Sequence, residues 1–574
     1  MPVTKRNLAK ISVRPQATVR EAMAVMTRGP KRDPRLPAGI VLVTAQDGRL
    51  LGVATDGDFR RALVRGTSLE APVREVMNRR PFLIEGSRPN AELLGLVLDK
   101  LRAERWPRYK IRHVITVDRE RRVLDVVLFF DLWRNSEIRF THIGIVGLGY
   151  VGLTLALTLA DHGFQVRGLE ANLTVRRTLR RGRPHFFEAG LAELLGDHLG
   201  RSFEVVDGLG DGLECDIYII AVGTPVDRHG QPQFGDLKRA ARTVGRVLKQ
   251  GDAVILRSTV PVGTTRDVVV PILETATGLT AGKDFAVAFA PERTVEGRAL
   301  EELKRLPQVV GGIDRVSAEV AAHIFNTFTN YSIIVESPEE AEMVKLISNA
   351  YRDVTFAFSN ELSLLCRRWG IDTRRVIEAA NRDYERSNVP LPSPGVGGYC
   401  LKKDPYIFMA SASRRGYRLR LAPDARAVSE AMVMSLRDEV MRFLARTGKP
   451  VRRAKVALLG LAFKGDPVTS DLRGSTALDL AALLRPRVGS LVGFDPAVTP
   501  RAAASYRMVA VPDVQRAVRG ADVVVVMTNH PALRALAMRR LLATARRPAL
   551  LIDAWGLYPV EEMAKVKGIT HFRL

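Results

Sequence analysis

The sequence predicts an α/β protein: two doubly wound domains joined by a long central helix, preceded by a smaller α+β unit. Three observations carry that class. From residue 142 onward, short apolar runs alternate with amphipathic helical patterns, as parallel sheets covered by helices on both faces require. The alternation is interrupted by one long helical pattern, from about Pro338 to Trp369, with no Pro or Gly inside it. It restarts at Lys455-Val-Ala-Leu-Leu-Gly-Leu-Ala-Phe463 with a second strand–turn–helix start. The 574 residues fit about four domains, with expected bounds 1–136, 142–335, 336–440 and 441–574.

Residues 1–136 read as a unit with a weak internal repeat. A helical pattern at Thr18–Met26 precedes strands at 39–44 and 50–54 and a helix starting near Asp56-Gly-Asp58. The plan recurs as helix 90–104, strands 112–117 and 122–128, and then Asp131, each half covering the apolar face of the other. A polar linker, 134–141, follows.

A hydrophobic content of 46%, 26% charged residues, 46 Gly and 31 Pro exclude disordered and collagen-like chains. Three cysteines, Cys215, Cys366 and Cys400, cannot form a disulfide scaffold for a chain of this size, which points to a reducing compartment. Lys and Arg total 87 against 62 Asp and Glu, a formal charge of +25. The cations are scattered and mostly Arg, and no zinc-finger spacing, aromatic-interleaved basic strand or basic region with heptads accompanies them. An Arg-rich solvated surface is therefore expected, with no nucleic-acid partner. The N-terminus lacks the apolar run of a signal peptide. Ile143–Ala160 is apolar enough for a membrane span, but four glycines break it, as in a buried strand–turn–helix. A cytoplasmic protein without membrane insertion and without a metal site is expected.

Two motifs carry chemistry. Gly147-Leu-Gly149-Tyr150-Val151-Gly152 follows the strand His142–Val146 and opens a helix. The first two glycines permit a tight turn and close approach of a pyrophosphate, and the third permits helix–strand packing. Glu170 ends the next strand, 165–169, and a carboxylate there suits the ribose hydroxyls of NAD. Cys400 lies in Pro394-Gly-Val-Gly-Gly-Tyr-Cys-Leu-Lys-Lys-Asp404, where a glycine-rich loop runs into a helix start whose dipole favours thiolate. Asp404 falls on the same helical face. Lys345 and Asn349 share one face of the long helix, and by spacing alone either solvent or a cleft could claim them.

The segment Leu50–Leu63 resembles the CBS (cystathionine-β-synthase-type) module, and residues 1–136 resemble a CBS pair. The resemblance implies an adenine-nucleotide site, with Thr55 and Asp58 at the ribose. The second copy keeps Asp131 but has Leu128 at the Thr position. A pair used only for packing or assembly is the alternative.

Residues 142–574 resemble the UDP-glucose/GDP-mannose dehydrogenase family. The matching motifs run in family order: 147–152, Gly223-Thr224-Pro225 with Asp236-Leu237, Ser258–Thr265, Pro291-Glu292, Ala341–Lys345 with Asn349, Gly397–Cys400 with Asp404, and Gly460–Lys464 with Asp471-Leu-Arg473. The family's fold is two Rossmann-like domains around a central helix. What the resemblance implies is oxidation of C6 of a nucleotide-sugar from alcohol to carboxylate with two NAD, through a thiohemiacetal and a thioester on Cys400. It further implies that Lys345 and Asn349 stabilise the oxyanion, and that Asp404, Glu292 and Thr259 handle the proton and the water. Gly147, Gly149, Tyr150, Val151, Gly152, Glu170, Thr224, Thr259 and Arg473 map to the cofactor side. Glu296, Lys345, Asn349, Arg386, Gly397 and Lys464 map to the substrate.

Pro291-Glu-Arg293 and Thr528-Asn-His530 resemble the branch acting on UDP-N-acetylhexosamines, whereas Tyr399 stands where that branch has His. UDP-N-acetylmannosamine or UDP-N-acetylglucosamine is the expected substrate and UDP-glucose the alternative. A product destined for surface polysaccharide is implied, as is a homodimer or larger assembly through the long helix. A non-catalytic nucleotide-sugar-binding protein is the alternative of another class, and the intact Cys400, Lys345 and Asp404 argue against it.

Overall fold

The computed structural model describes residues 7–33, 36–86, 113–128, 142–210 and 215–574, together with Leu93, Leu96, Val97 and Lys100. The chain divides into two compact units: Met1–Thr141 with Lys249–Ala253 and Leu279–Ala286, and the remainder.

In the first unit the repeat is found in the strand pairing. β1 (Ser12–Val13), α1 (Val19–Arg32), β2 (Ile40–Thr44), β3 (Leu50–Thr55) and α2 (Asp56–Val64) form the first half. β1 pairs parallel with β2, and β2 antiparallel with β3. The strands β4 (Leu83–Glu85), β5 (His113–Val117) and β6 (Val123–Leu128) pair in the same order and senses. Both hairpins shift register near the end of the leading strand, at Val43/Thr44 and at Thr116/Val117. A bulge at equivalent positions marks one plan used twice. Ile40, Leu42 and Leu50 of the first half share an apolar cluster with Ile115, Val117 and Val126 of the second, so neither half buries its face alone. α1 begins in a capping box, with Thr18 Oγ1 accepting from Glu21 N and Glu21 Oε2 accepting from Thr18 N. Apart from Leu93, Leu96, Val97 and Lys100, the helix expected over 90–104 lies outside the described residues, as do Asp131 and the linker 134–141.

The second unit opens on an eight-stranded sheet. Its strands are β7 (His142–Val146), β8 (Gln165–Leu169), β9 (Phe203–Val206), β10 (Ile217–Ile220), β11 (Ala253–Leu256), β12 (Ala286–Phe289), β13 (Gln308–Gly312) and β14 (Ser332–Val335). The spatial order β9-β8-β7-β10-β11-β12-β13-β14 reverses direction between β7 and β10, which opens a crevice at their carboxyl ends. The stretch read as too broken for a membrane span is β7 followed by α3 (Tyr150–Asp161). No helix among the described residues is long and apolar enough to cross a membrane.

One expectation fails: the sheet is not parallel throughout, because β12 and β13 are antiparallel, with Ala288 opposite Gly312. The reason is the connection. Residues 290–307 leave β12 and re-enter β13 at the same sheet edge instead of crossing a face, which keeps Glu292 and Glu296 over the carboxyl edge.

α4 (Pro338–Arg368) runs 31 residues, about 46 Å at 1.5 Å per residue, from an N-cap at Ser337. It packs against α5 (Tyr399–Ser413) and α6 (Leu421–Arg446). Its buried side is polar where it meets them: Arg426 Nε donates to Asp353 Oδ2 at 2.8 Å, and Arg426 also reaches Ser429 Oγ at 3.0 Å. Met343, Ile347, Tyr351, Phe358 and Leu365 leave an apolar stripe exposed on the opposite side.

The last domain is a five-stranded, wholly parallel sheet, with α7 (Thr476–Leu484) following its first strand. Its strands are β15 (Lys455–Leu459), β16 (Ser490–Phe494), β17 (Val523–Val526), β18 (Ala549–Asp553) and β19 (Ile569–Arg573), in the order β16-β15-β17-β18-β19. Alternate residues feed separate cores. Val456, Leu458, Val523 and Val525 enter one cluster, and Ala457, Leu459, Val524 and Val526 the other. Both faces are therefore covered, as double winding demands.

Candidate active site

The Gly-rich turn sits at the switch point after β7. Gly147 has φ +96° and its N–H donates to Leu169 O at 2.8 Å. A Cβ at Gly152 would lie 1.8 Å from Gly147 O, so only glycine lets α3 start this close to the strand. A Cβ at Gly149 would meet nothing within 4 Å, leaving space for a ligand against the backbone at the start of α3. Glu170 faces the same turn, accepting from Leu148 N at 2.9 Å. Thr224, after β10, is 1% exposed, and its hydroxyl has no hydrogen-bond partner in the structure. An orphaned buried hydroxyl, an open glycine and a carboxylate at the ribose position fit NAD.

Tyr150 and Val151 begin α3, and the Tyr150 hydroxyl is not free for a ligand. It donates to Glu188 and accepts from Gly297 N at 3.1 Å, while burial and Glu188 push its pKa far up. Glu188 also accepts from Gly297 N at 2.7 Å and Ala299 N at 2.7 Å, which ties the 291–299 loop to α3.

Cys400 lies in the first turn of α5, behind Gly398 at φ +95°. A Cβ on Gly398 would come 2.7 Å from the Phe463 ring, and one on Gly397 3.1 Å from Phe463 O. The loop can press this closely on the last domain only with glycines. Cys400 is an exposed residue, yet the crowding of protein around its thiol and the charge of Asp404 push the thiol up. Lys345 and Lys403 pull the other way and do not win. The helix start is thus where the sequence places it, but the resting group is the thiol and not the thiolate that the dipole alone favours.

Asn349 Nδ2 donates to Asp404 Oδ2 at 2.5 Å, and Lys403 Nζ to Asp404 Oδ1 at 2.5 Å. The spacing of Lys345 and Asn349 left solvent or cleft open, and both are buried, at 8% and 7% exposure. Lys403, directly before Asp404, was missed in the sequence although its position next to an acid was visible. It is buried, and its pKa is raised because Asp404 outweighs its desolvation.

The two glutamates behave oppositely. Glu292 accepts from Arg257 Nη2 at 2.6 Å, Arg293 N at 2.7 Å and Thr294 N at 2.8 Å. Burial alone would raise its pKa, but Arg257, those N–H groups and Lys345 hold it down. Arg257 is a second missed residue: it is 2% exposed, also bonds Ala290 O and Gln308 Oε1 at 3.0 Å each, and stacks on Phe325. Glu296 is pushed up to about 7 by burial and by Asp471, against the pull of Arg473 and Lys464. Thr259 is half-buried on the turn that Glu342 of α4 pins through Gly263 N and Thr265.

The last domain closes the site. Lys464 Nζ donates to Glu296 O at 2.6 Å, and burial brings its pKa down to about 8. Arg473 grips Asp471 through Nε and Nη2, lies 3.8 Å from Glu296, and stacks on Tyr399 at 4.9 Å. Lys403 lies over the same ring at 5.3 Å. Asn529 of the Thr528-Asn-His530 turn accepts from Gly465 N at 3.1 Å and supports the Lys464 loop. A cleft of about 340 Å³, open to solvent, is lined by Gly149, Tyr150, His185, Phe186, Glu296 and Arg473. Arg386 is not drawn in: it is exposed and stacks on Tyr384 at 4.9 Å.

Two doubly wound domains facing a cysteine at a helix start, with buried lysine, asparagine and carboxylates around it, define an NAD-dependent dehydrogenase. Four family models match the chain. Three describe the UDP-glucose/GDP-mannose dehydrogenase family: the NAD binding domain over residues 141–329, the central domain over 339–431 and the UDP binding domain over 457–559. The fourth is the CBS domain, over residues 5–65. The UDP-N-acetyl-D-mannosamine dehydrogenase of Pyrococcus horikoshii is 33% identical over 412 residues, 72% of this chain and 94% of that protein. The NDP-N-acetyl-D-galactosaminuronic acid dehydrogenase of Ralstonia nicotianae is 32% identical over 75% of this chain and 99% of that protein. Among solved structures, the P. horikoshii UDP-ManNAc dehydrogenase superposes with a TM-score of 0.69 at 32% identity, covering 75% of this chain and 98% of that one. A UDP-glucose dehydrogenase from Pyrobaculum islandicum superposes with a TM-score of 0.66 at 30% identity, covering 76% and 97%. The chain belongs to the UDP-glucose/GDP-mannose dehydrogenase family and is an NAD-dependent nucleotide-sugar dehydrogenase carrying an N-terminal CBS domain.

Proposed function

We propose that this dehydrogenase carries C6 of a UDP-N-acetylhexosamine, N-acetylmannosamine or N-acetylglucosamine, from alcohol to carboxylate with Cys400 as the nucleophile. The observation that carries the mechanism is the cluster of Asn349, Lys403 and Asp404 locked together beside the Cys400 turn. NAD, held at the Gly147–Gly152 turn beside Glu170 and Thr224, would supply the hydride acceptor for the two oxidations. Between them the Cys400 thiol adds to the aldehyde carbon, its proton going to the carbonyl oxygen, and holds the intermediate as a thiohemiacetal. Oxidation gives a thioester, and water adds to its carbonyl and releases the acid and the thiol. Lys345 and Asn349 stabilise the oxyanion. Thr259 sits on the cofactor side of the turn.

Glu292, held ionised on three sides, orients water without readily taking its proton. Glu296, titrating at about 7, is better matched to move one at neutral pH. Asp404 holds Asn349 and Lys403 in place. Lys464, Arg473 and Gly397 are proposed substrate or cofactor contacts, as are Gly147, Gly149, Gly152, Glu170 and Thr224 on the NAD side. The names of the relatives at 32–33% identity favour an acetamido sugar. The test is NADH released per nucleotide-sugar across a panel of UDP-N-acetylmannosamine, UDP-N-acetylglucosamine, UDP-glucose and GDP-mannose. Two NADH per sugar are expected, and a Cys400→Ala protein that still yields two overturns the nucleophile.

The N-terminal unit is proposed to be a CBS pair of bounds 1–136 that senses an adenine nucleotide at Thr55 and Asp58. Those two residues already bond each other across the start of α2, at 2.7 Å, and Arg61 caps Asp58 at 2.6 Å, so a ribose would compete with Arg61. Titration calorimetry of the full chain with AMP, ADP and ATP, repeated on Asp58→Ala, decides it. No heat with any of the three removes the sensing role. The stripe from Met343 to Leu365 on α4 is proposed as the face on which two copies meet. A role in surface polysaccharide synthesis follows from a uronic acid product.

A further inference from the structure

The charge of +25 is not spread evenly over the chain, and residues 1–141 hold about half of it, with 28 Lys and Arg against 16 Asp and Glu. Residues 142–440 carry 37 Lys and Arg and 37 Asp and Glu, whereas residues 441–574 carry 22 against 9. Within that last domain ten of the 22 cations gather at the amino-terminal edge of the parallel sheet, opposite the edge that carries Lys464 and Arg473. Two exposed cations stand in the turn, or in the last helical turn, before each strand: Arg452 and Arg453 before β15, Arg485 and Arg487 before β16, and Arg516 and Arg519 before β17. The pattern continues with Arg546 and Arg547 before β18 and Lys565 and Lys567 before β19.

Topology forces these ten side chains together. In an all-parallel sheet every helix-to-strand turn falls on the same edge, and here the strand starts are in register, Lys455 opposite Ser490, Val456 opposite Val523 and Ala549 opposite Ile569. The turns touch one another through Gly489 N to Ala454 O at 3.0 Å, Gly520 N to Thr544 O at 2.8 Å and Ala549 N to Gly568 O at 2.9 Å. Asp522, the acid among them, is 1% exposed, bonded to Lys449 and 3.8 Å from Arg546, so it offsets one cation of the ten at most. The helices end at this edge and so present no N-terminus to it. Five strands at about 4.8 Å spacing make a strip about 20 Å wide, of low relief because its turns are short.

We propose that this edge is an electrostatic docking surface for the phosphate layer of an anionic lipid bilayer, on which the enzyme lies without insertion. A flat array of guanidinium groups matches a plane of phosphates. A nucleic acid fits less well: the five turns hold no Phe, Tyr or Trp to stack on bases, and no helix projects to enter a groove. Docking through this edge leaves the substrate edge of the same sheet free.

The test is sedimentation of the full chain with vesicles of phosphatidylcholine alone, of phosphatidylcholine with one-third phosphatidylglycerol, and with a DNA duplex at equal phosphate concentration. The edge variant is Arg453→Gln, Arg485→Gln, Arg516→Gln, Arg547→Gln; the control replaces Arg201, Arg228, Arg242 and Arg315 by Gln. The expected result is binding to the anionic vesicles only, lost when salt rises from about 0.1 to about 0.5 M. The edge variant should bind about 100-fold more weakly or worse, from roughly fivefold for each of the four cations removed, while the control binds like wild type. The edge variant should keep its NADH-forming activity, which shows that it folds. Absence of vesicle binding, equal binding to neutral vesicles, unchanged binding of the edge variant, or tighter binding to DNA than to anionic vesicles would each overturn the proposal.

Discussion

Replacing Arg257 by Met tests how Glu292 is held. The guanidinium is 2% exposed and makes three hydrogen bonds, to Ala290 O, Gln308 Oε1 and Glu292 Oε2, besides its contact with the Phe325 ring. Methionine keeps much of the volume but leaves a buried carboxylate without its charge partner, a loss of about 3–5 kcal/mol. The sign of the pH dependence follows from the shift. In the wild type the Glu292 pKa is depressed, so the group stabilises the fold above its unfolded pKa, and that contribution fades as pH falls through the lower folded value. Without Arg257, burial dominates, the pKa rises, and the sign inverts. The variant should then lose stability as pH climbs. Calorimetry of the full chain, following the transition that NAD shifts upward, should show a deficit at pH 8 clearly larger than at pH 5. Arg257→Met with Glu292→Gln should recover part of the pH 8 loss. An equal deficit at both pH values, or no deficit, refutes the claim that Arg257 holds a charged Glu292.

Glu342, fully buried and pushed up to about 7 by desolvation, has the opposite sign: wild-type stability should fall as pH rises from the unfolded pKa through 7. Glu342→Gln should be flat over that window, so that between pH 5 and pH 8 its stability relative to wild type rises by up to about 3 kcal/mol, read from thermal denaturation; parallel pH curves would contradict it. Lys403→Met removes a cation that lowers the Cys400 pKa, so iodoacetamide should alkylate Cys400 several-fold more slowly at pH 8, with Lys403→Arg restoring part of the rate. An unchanged or faster rate would place Lys403 outside the thiol's field. Gly152→Ala places a methyl 1.8 Å from Gly147 O, so NAD affinity measured by calorimetry should drop at least tenfold. Wild-type affinity would show that the turn can shift.

Local pattern alone determined the elements and the binding turn of this protein. His142–Val146, Gln165–Leu169 and the 338–368 helix were readable because hydrophobic period and Gly or Pro punctuation act over a few residues. Cys400, Asp404, Lys345 and Asn349 came into one expected set only through the resemblance to the dehydrogenase family that the co-linear motifs carry, since spacing alone left Lys345 and Asn349 open. What lay beyond the sequence was everything set by partners distant along the chain. Arg257 and Glu292 stand 35 residues apart, Asn349 and Asp404 stand 55, and Lys464 and Glu296 stand 168. Only packing decides that Glu292 is held charged while Glu296 is lifted to about 7, because burial and neighbouring charge compete at each site. The antiparallel β12–β13 pair and the gathering of cations at one edge of the last sheet have the same origin. Strand order and direction are properties of the fold, and no window of sequence contains them.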